Sequence, residues 1–553
     1  MGRLSSWILA GCLAVPIGAG TRAGEPVALK PEAVFDVRAF GAAGDAARLD
    51  TRAFQAAIDA CHGKGGGTVL VPAGRYLVGT VVLKSHVTLH LASSARVMGS
   101  THLADYATNV ARCGFVNEGV IDKCLIYAEN GEDISITGRG SIDGQGASFP
   151  NMTPAGKRGE RPMLLRFYRC RVVNIEGVTL RSAGSWCCHF RESADVRVRG
   201  VTIHNRVNGN NDGIDLMSTE RVFISDCTLL CGDDAICFQD MSDDRPVQDV
   251  MITNCLMSTR WAGIRSGGAH RGGIRRVTAS NCVIRDTYGC GIKLQVSGNG
   301  SLEDMTFSNI VMTDVSSPIS LRFGNCHYNN ETRDAAYPFG HLRNILFQNI
   351  RASVIDEARL RQGVPEPINP GEERQCISLC GIPGHPVEGV TLSNVHVTFP
   401  GGGTERDAAG RNFPELADQY PEYFMWGVLP AYGLYARHAR GLTLENVRFE
   451  LAARDLRPAV VCDDVDDLEI AGLKAAGDPK VESLLRLRAT RSAFIHECRT
   501  LNPLDTFLRL EGATTADIAL SGNKLDGVRT VVTRADGAPD VNAGLQPKAR
   551  GDR

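Results

Sequence analysis

Three short stretches of the chain decide its fold: VFISDCTL at 222–229, VMITNCLM at 250–257 and MTFSNIVM at 305–312. In each of them apolar and polar residues alternate, a polar residue interrupts the run, and a second apolar strand follows. This is the pattern of two short strands joined at a corner. The same unit recurs from VVNIEGVTL at 172–180 to LEIAGLKA at 468–475. The chain therefore contains a degenerate internal repeat.

The residue at the corner gives the length of the repeat. Successive corners are separated by 23, 26, 28, 27 and 28 residues, then by 40, 45, 52 and 26. The corner residues are Gly177, Gly200, Asp226, Asn254, Asn281, Asn309, Asn349, Asn394, Asn446 and Gly472. A period in the twenties, built from strands without intervening helices, predicts an all-β fold, a single-stranded right-handed parallel β-helix. Asparagine suits the corner because it tolerates the left-handed conformation and can bond to its stacked copy.

The segments around the repeat predict the domain organisation. Residues 51–61 carry an apolar face behind Asp50, a candidate N-cap, and predict a helix that covers the open end of the solenoid. We expect a signal peptide over 1–23, an N-terminal segment with this capping helix over 24–67, the β-helix over 68–535 and a flexible tail over 536–553. The solenoid carries predicted loop insertions at 322–341, 355–375 and 400–431. The last of these is rich in Gly, Pro and aromatic residues and should lean over a groove.

Composition and the first residues indicate an exported globular protein. The 553 residues are 43% hydrophobic with a formal charge of -2, which excludes wholesale disorder and argues against nucleic acid as a partner. Arg3 and the apolar run 7–19 predict a signal peptide cleaved near Ala23, or alternatively a lipoprotein anchored at Cys12. The expected location is periplasmic or extracellular. No later stretch reaches the roughly 18 apolar residues of a membrane span.

The positions of most of the 18 cysteines argue against a disulfide framework. Three follow the corner residue of successive repeats and should stack inside the core, where cysteine behaves as a small hydrophobe. These are Cys227, Cys255 and Cys282. Two pairs remain candidates for local disulfides: Cys113 with Cys124, and Cys376 with Cys380.

A second periodic pattern places chemistry on one face of the solenoid. An isoleucine recurs at Ile214, Ile236, Ile264 and Ile292, spaced by 22, 28 and 28 residues. If these side chains stack inward, strand alternation turns the following residues outward. That outward column is Asp215, Cys237, Arg265 and Lys293. Asp212, Asp233 and Asp234 stand just before two of the isoleucines, so carboxylates crowd one patch on coils about 4.8 Å apart.

Crowded carboxylates suit acid and base catalysis. Their repulsion raises at least one pKa, so that one group holds a proton while its neighbours stay ionised. Glycoside hydrolysis needs such a pair, one group to protonate the leaving oxygen and another to activate water. An inverting enzyme keeps the two groups about 6.5–9.5 Å apart, a separation that one coil and a lateral offset would supply. Turn formation alone also accounts for Asn, Asp and Gly in these segments, and carboxylates can hold calcium.

These motifs resemble glycoside hydrolase family 28, the polygalacturonases and rhamnogalacturonan hydrolases, within the pectin-lyase-like β-helix superfamily. The resemblance runs from FDVRAFGAAGD at 35–45 to about residue 310. NNDGID resembles the family's Asn-Thr-Asp motif and implies that Asp212 is catalytic. GDDAI implies that Asp233 is the general acid and Asp234 a second water-activating carboxylate. GIKL implies that Lys293 contacts a substrate carboxylate. The resemblance further implies an inverting mechanism, no cofactor and a pectic, α-linked uronic acid substrate.

Two positions depart from the family pattern. Its Gly-His-Gly motif falls on residues 261–263, Trp-Ala-Gly, and the arginine of its Arg-Ile-Lys motif falls on Gly291. Arg265 shares its column with Lys293, so we expect the two cations to hold a substrate carboxylate together. His189, in SWCCHF, matches a family stretch on the preceding coil and is a candidate for sugar contact.

The leading prediction is a secreted glycoside hydrolase that cleaves α-glycosidic bonds of uronic-acid-containing, pectic polysaccharide or oligosaccharides, with exo action because the insertions wall off one end of the groove. The predicted catalytic residues are Asp233, Asp212 and Asp234, and the predicted substrate-binding residues are Lys293, Arg265, Asp215 and His189. Neither a metal nor a cofactor is predicted. Two alternatives stay open: a polysaccharide lyase or epimerase on the same fold, and a non-catalytic carbohydrate-binding solenoid.

Overall fold

Strands in the computed structural model run around a solenoid, and each coil pairs with the coils before and after it. The structure describes residues 33–111, 118–239, 245–268, 272–297, 300–324, 339–363 and 368–539. Within these ranges the named strands join one sheet by parallel pairings. One continuous apolar core extends from Val37 to Ile518 along the inside of the coils. The predicted all-β, right-handed parallel β-helix is confirmed.

The strands are short along most of the solenoid and longer where two sides of a coil join. The first thirteen are β1 Val34–Asp36, β2 Asp45–Leu49, β3 Gly67–Val71, β4 Gly74–Val78, β5 Val81–Val82, β6 Val87–Leu91, β7 Ala95–Gly99, β8 Cys124–Glu129, β9 Glu132–Gly138, β10 Ser141–Asp143, β11 Met163–Tyr168, β12 Arg171–Glu176 and β13 Thr179–Arg181. The next thirteen are β14 Cys188–Arg191, β15 Ala194–Arg199, β16 Thr202–Asn205, β17 Ile214–Met217, β18 Glu220–Ser225, β19 Thr228–Cys231, β20 Ile236–Gln239, β21 Val247–Thr253, β22 Leu256–Thr259, β23 Ile264–Gly268, β24 Ile274–Ser280, β25 Val283–Ser297 and β26 Leu302–Gly324. The last thirteen are β27 Leu342–Val354, β28 Ile377–Cys380, β29 Val387–Phe399, β30 Leu434–Glu445, β31 Arg448–Leu451, β32 Val460–Ala471, β33 Lys474–Ala475, β34 Leu485–Arg488, β35 Arg491–His496, β36 Arg499–Thr500, β37 Leu504–Glu511, β38 Ala516–Ser521 and β39 Val528–Ala535.

The α-helices in the described ranges are α1 Thr51–Gly63, α2 Glu118–Ile121, α3 Glu357–Gly363 and α4 Glu405–Ala408, and short 3-10 helices lie at Val37–Phe40, Leu103–Asp105, Gly146–Ser148 and Glu372–Arg374. The predicted helix, α1, buries its apolar face against the first coils. Asp50 precedes it, but the expected cap is wrong in detail, because the carboxylate makes no hydrogen bond to the helix. Instead it accepts from the N–H groups of Ala43, at 2.7 Å, and Gly44, at 3.1 Å. Asp50 therefore ties the preceding loop to the helix start.

The corner residues form the predicted ladder. Seven of them adopt the left-handed conformation with φ between 48° and 58°: Asp226, Asn254, Asn281, Asn309, Asn349, Asn394 and Asn446. In this conformation an asparagine Nδ2 can donate to the side-chain oxygen of the corner residue one coil before it. Asn394 Nδ2 donates to Asn349 Oδ1 at 2.7 Å, and Asn446 Nδ2 donates to Asn394 Oδ1 at 3.3 Å. The ladder continues across the 45- and 52-residue spacings, so the insertions leave the corner unchanged.

The cysteines of the described ranges are buried, and no disulfide joins any two of them. Cys227, Cys255 and Cys282 stack in the core as predicted, each at most 2% exposed. The proposed disulfide between Cys376 and Cys380 is wrong, because both are free thiols in a small apolar cluster beside the solenoid. Cys113 lies outside the described residues.

Several predictions concern segments that the structure does not cover. The signal peptide at 1–23 and the lipidation site Cys12 lie outside the described residues, as do most of the insertion 322–341 and the tail from residue 540. Parallel pairing starts at Val34, which pairs with Thr68, ahead of the expected start of the solenoid at residue 68. In the part of the chain that the structure covers, no helix has the length and apolarity needed to cross a membrane.

Candidate active site

One outward column of side chains crosses five adjacent coils. The inward isoleucines stack in register as predicted: Ile214, Ile236, Ile264 and Ile292. Their outward neighbours pair in the same register, so that Asp215, Cys237, Arg265 and Lys293 follow one another along the solenoid. His189 extends this column by one coil, because it pairs with Asp215. The sequence therefore predicted the order of the column correctly.

The turn before β17 is held rigidly by an asparagine. Asn211 is completely buried, and its Oδ1 accepts from the N–H of Val207 at 2.8 Å. Its Nδ2 donates to the carbonyl oxygens of Ala183 at 3.0 Å and Ser185 at 2.9 Å. The side chain of Asn211 therefore forms the hydrogen bonds that stabilise the turn of the NNDG motif. The carboxylate of the adjacent Asp212 is left for another role.

Asp212 and Asp234 occupy equivalent positions on neighbouring coils. The Gly213 N–H donates to the Asp234 carbonyl oxygen at 2.9 Å, which sets this register. One oxygen from each of Asp212, Asp233 and Asp234 lies within 4.8 Å of the others. The 4.8 Å limit applies to the closest oxygens, and the separation of about 6.5–9.5 Å between the acid and base groups stays a prediction. Asp233 precedes Asp234 on the same coil, so the three carboxyl groups come from two adjacent coils.

Burial and mutual repulsion raise the pKa values of this cluster. Loss of hydration raises the pKa of Asp233 to about 7, with the neighbouring Asp234 charge acting in the same direction. The same two causes hold the pKa values of Asp212 and Asp215 well above the usual range of a carboxyl group. In the described part of the chain, Asp212 Oδ1 and both carboxylate oxygens of Asp215 are buried without a hydrogen-bond partner. These atoms are available to a ligand or water.

Asp234 differs from the rest of the cluster because a cation and a backbone donor hold it. Arg265 Nη1 lies 2.5 Å from Asp234 Oδ2, and the Ala262 N–H donates to Oδ1 at 3.1 Å. The side chains of Asp234 and Arg265 are 0% and 7% exposed. Arg265 also donates to the hydroxyl of Tyr420. The arginine predicted to meet substrate is therefore committed to the protein's own carboxylate.

Lys293 is likewise paired inside the protein. Its Nζ lies 2.7 Å from Glu422 Oε2, and the two side chains are 3% and 12% exposed. The ammonium group also stands 5.3 Å from the ring centroid of Trp261, which replaces the first glycine of the family's Gly-His-Gly motif. Phe424 packs edge-on against that indole with ring centroids 6.1 Å apart. Sequence reasoning missed Glu422, since no repeat or motif marks a residue inside the insertion.

The segment 400–431 lies over the outward column, as its composition predicted. Besides the contacts of Tyr420 and Glu422, the ring of Trp426 stacks 4.9 Å from the guanidinium carbon of Arg322. Arg322 Nη2 also donates to the Glu415 carbonyl oxygen at 2.6 Å. The segment is thus attached at several points and forms a fixed wall beyond Lys293.

His189 lies at the other end of the column, fully buried against the edge of Trp186, with ring centroids 5.2 Å apart. Burial, together with the charges of Arg166 and Arg191, lowers the pKa of His189 well below its usual value. The imidazole is therefore neutral at physiological pH. Both of its nitrogens lack a hydrogen-bond partner among the described residues, next to the equally unpartnered Asp215.

Comparison with known proteins gives one family over most of the solenoid. Residues 61–414 match the model of the glycosyl hydrolases of family 28. A probable polygalacturonase of Vitis vinifera is 28% identical over 378 residues, which span 65% of this chain and 73% of the relative. An exo-poly-alpha-D-galacturonosidase of Dickeya chrysanthemi is 26% identical over 336 residues, 51% of this chain and 55% of the relative.

Solved structures show the same fold. The exopolygalacturonase of Thermotoga maritima superposes with a TM-score of 0.58 at 22% identity, over 76% of this chain and 92% of that one. The family 28 exopolygalacturonase of Yersinia enterocolitica gives 0.60 at 20% identity, over 80% of this chain and 78% of that one.

Proposed function

The chain belongs to the glycosyl hydrolases of family 28, and from that premise we propose that it cleaves α-glycosidic bonds of pectic, uronic-acid-containing polysaccharide or oligosaccharides. One observation in the carboxylate cluster supports the proposed hydrolysis. A carboxyl group with a pKa of about 7, Asp233, lies against Asp234, whose charge is compensated by Arg265. A protonated acid beside an ionised carboxylate is the pair that glycoside hydrolysis requires.

Asp233 is the proposed general acid. It is the partly exposed member of the cluster, so its proton can reach a glycosidic oxygen. Asp234 and Asp212 hold and activate the attacking water, Asp234 as the ionised base and Asp212 through its unpartnered Oδ1. Asp233 gives its proton to the leaving oxygen as the bond to the anomeric carbon breaks. Water adds to that carbon and passes a proton to Asp234, and solvent exchange restores both groups.

We assign an inverting outcome to this reaction. The stacked positions of Asp212 and Asp234 let both carboxyl groups bind one water molecule, which favours direct displacement. The anomer that forms first distinguishes an inverting from a retaining mechanism. Proton NMR during hydrolysis of an α-linked oligosaccharide should show the β-anomer before mutarotation, and an initial α-anomer would establish retention.

The proposed substrate-binding residues are Lys293, Arg265, Asp215 and His189. Asp215 and His189 together present buried oxygen and nitrogen atoms that lack partners in the described part of the protein. Buried polar groups without partners are costly, so a ligand rich in hydroxyl groups would stabilise them. Arg265 acts mainly by holding Asp234, and Lys293 lines the site beside Trp261.

Exo action is proposed because the segment 400–431 forms a wall beyond Lys293 and so limits how far a polysaccharide extends. The proteins of Dickeya chrysanthemi, Thermotoga maritima and Yersinia enterocolitica compared above have names that describe exo-acting enzymes. Chromatography of products from a panel of pectic oligosaccharides tests this proposal. Release of the same short product from every length of substrate supports exo action, and a broad mixture of early products would overturn it.

We also propose that the protein is exported. Its proposed organisation is the one expected from sequence: signal peptide 1–23, N-terminal segment 24–67, catalytic solenoid 68–535 and tail 536–553. Mass spectrometry of the mature N-terminus distinguishes cleavage near Ala23 from lipidation at Cys12. Family membership favours hydrolysis over the lyase or epimerase alternative. A non-catalytic binding protein would bind the oligosaccharides without releasing product.

A further inference from the structure

We propose that Glu422 makes the subsite at Lys293 select a sugar residue without a carboxylate, so that the enzyme cleaves next to a neutral residue of its pectic substrate. The inference rests on the proposed function and narrows its substrate class. The contact that carries it is the ion pair between Lys293 and Glu422, which joins residues 129 positions apart at 2.7 Å. The segment 400–431 thus brings the protein's own carboxylate to the cation expected to bind a uronate.

A uronate would have to displace Glu422 from Lys293. Because the two side chains are only 3% and 12% exposed, displacement leaves a carboxylate largely out of water and without its partner. Such an unpaired charge is strongly unfavourable. If Glu422 stays in place instead, the substrate carboxylate approaches another carboxylate of the same sign. Like charges placed together are an effective means of rejecting a ligand.

The other cation of the column offers no alternative. Arg265 is 6% exposed and bridges Asp234 and the hydroxyl of Tyr420. Releasing it for a substrate carboxylate would remove the charge that balances Asp234 in the catalytic cluster. Both cations that follow the carboxylates along the column are therefore already neutralised within the protein.

The same subsite is well suited to a neutral sugar. The ammonium group of Lys293 has three N–H donors. One of them donates to Glu422, so others remain for the hydroxyl oxygens of a sugar. Glu422 Oε2 takes the lysine, and its second carboxylate oxygen can accept from a sugar hydroxyl. Trp261 lies beside Lys293 and is only partly buried, so part of its indole is accessible to a sugar bound at this subsite.

The test compares four α-linked dimers that differ only in carboxyl groups. They are digalacturonate, its two derivatives with one carboxyl group reduced to a primary alcohol, and the fully reduced dimer. Turnover is measured for the wild type, E422Q and E405Q. Glu405 is the matched control, since it lies in the same segment, is exposed and lies at the start of α4 away from Lys293. Binding is measured by calorimetry on the same variants in a D233N background.

The wild type should favour a dimer with one reduced residue over digalacturonate by about tenfold or more, the size of one charge-assisted contact. E422Q frees Lys293 and should shift that preference towards digalacturonate by a similar factor, and E405Q should leave it unchanged. Circular dichroism and the melting temperature confirm that each variant is folded.

Two results separate the inference from the function it rests on. A wild type that favours digalacturonate, or a preference that E422Q does not change, overturns the inference while hydrolysis stands. Selective binding of a reduced dimer in the D233N background, with no turnover by the wild type, overturns the proposed hydrolysis while the selectivity of the Lys293 subsite for a neutral sugar stands. If E422Q is unfolded, Glu422→Asp is used in its place, because it keeps the charge, shortens the reach and should weaken the same preference.

Discussion

Arg265 reaches back by one coil, and its Nη1 lies 2.5 Å from Asp234 Oδ2 with both side chains almost completely buried. This pair keeps a negative charge next to Asp233, whose pKa is raised to about 7 by burial and by that charge. Arg265 thus compensates the negative charge of Asp234, the proposed base. The repulsion between Asp234 and Asp233 remains, and it favours the protonated form of Asp233, the proposed acid.

Removing this arginine should destabilise the fold as well as the site. We expect Arg265→Ala to lower the free energy of unfolding by about 3–5 kcal/mol, because Asp234 becomes a buried charge without its cation. Urea unfolding measures the change. Arg276→Ala provides the control, since it breaks an exposed pair with Asp249 and should cost no more than about 1 kcal/mol. Equal losses in the two variants would contradict a special role for the buried pair.

The activity should depend on a proton held near neutral pH. Because Asp233 must be protonated to act as the acid and its pKa is about 7, kcat/KM should be high below that pH. It should fall tenfold per pH unit above it as the proton is lost. A pH profile over 4–9 with a stable oligosaccharide measures this limb. A profile that stays flat above pH 7.5 would remove Asp233 from the acid role.

The raised pKa of Asp233 also predicts that replacing its carboxyl group with a neutral amide stabilises the fold at alkaline pH. The folded protein binds the Asp233 proton more tightly than the unfolded chain, so this group stabilises the fold at acidic pH, and that contribution is lost as pH rises through about 7. Asp233→Asn should therefore raise the free energy of unfolding at pH 8 by up to about 4 kcal/mol, because burial raises the pKa of Asp233 from the usual value of about 4 to about 7. At pH 4, where the carboxyl group is protonated in the folded wild type, the gain should largely disappear. A variant less stable at both pH values would contradict this account.

The asparagine ladder should contribute to solenoid stability at each corner. Asn394 accepts from Asn446, donates to Asn349 and holds φ at 54°. Asn394→Ala loses the side-chain hydrogen bonds and puts alanine, which tolerates the left-handed region less well than asparagine, at this φ, so we expect a loss of about 2–3 kcal/mol. Asn394→Gly loses only the bonds and should be milder. The ratio of the two losses, measured by urea unfolding, separates hydrogen bonding from backbone strain, and equal losses would exclude the strain.

Much of this arrangement follows from periodicity. The corner spacing predicted the solenoid, and the recurrent isoleucine predicted the register of Asp215, Arg265 and Lys293, because parallel coils stack equivalent residues. The partners of these residues could not be predicted in the same way. Glu422 reaches Lys293 from an insertion that has no repeat, and only the folded path of residues 400–431 brings the two together.

The most direct test of the proposed chemistry is the turnover of Asp233→Asn on α-linked pectic oligosaccharides, measured beside Asp212→Asn. Each change keeps the shape of the side chain, but the first removes the proton donated to the leaving oxygen and the second removes a ligand of the water. We predict that Asp233→Asn lowers kcat by at least about 10²-fold while the folded state and oligosaccharide binding are retained. Near-normal turnover by both variants would show that the carboxylate cluster is not the catalytic centre.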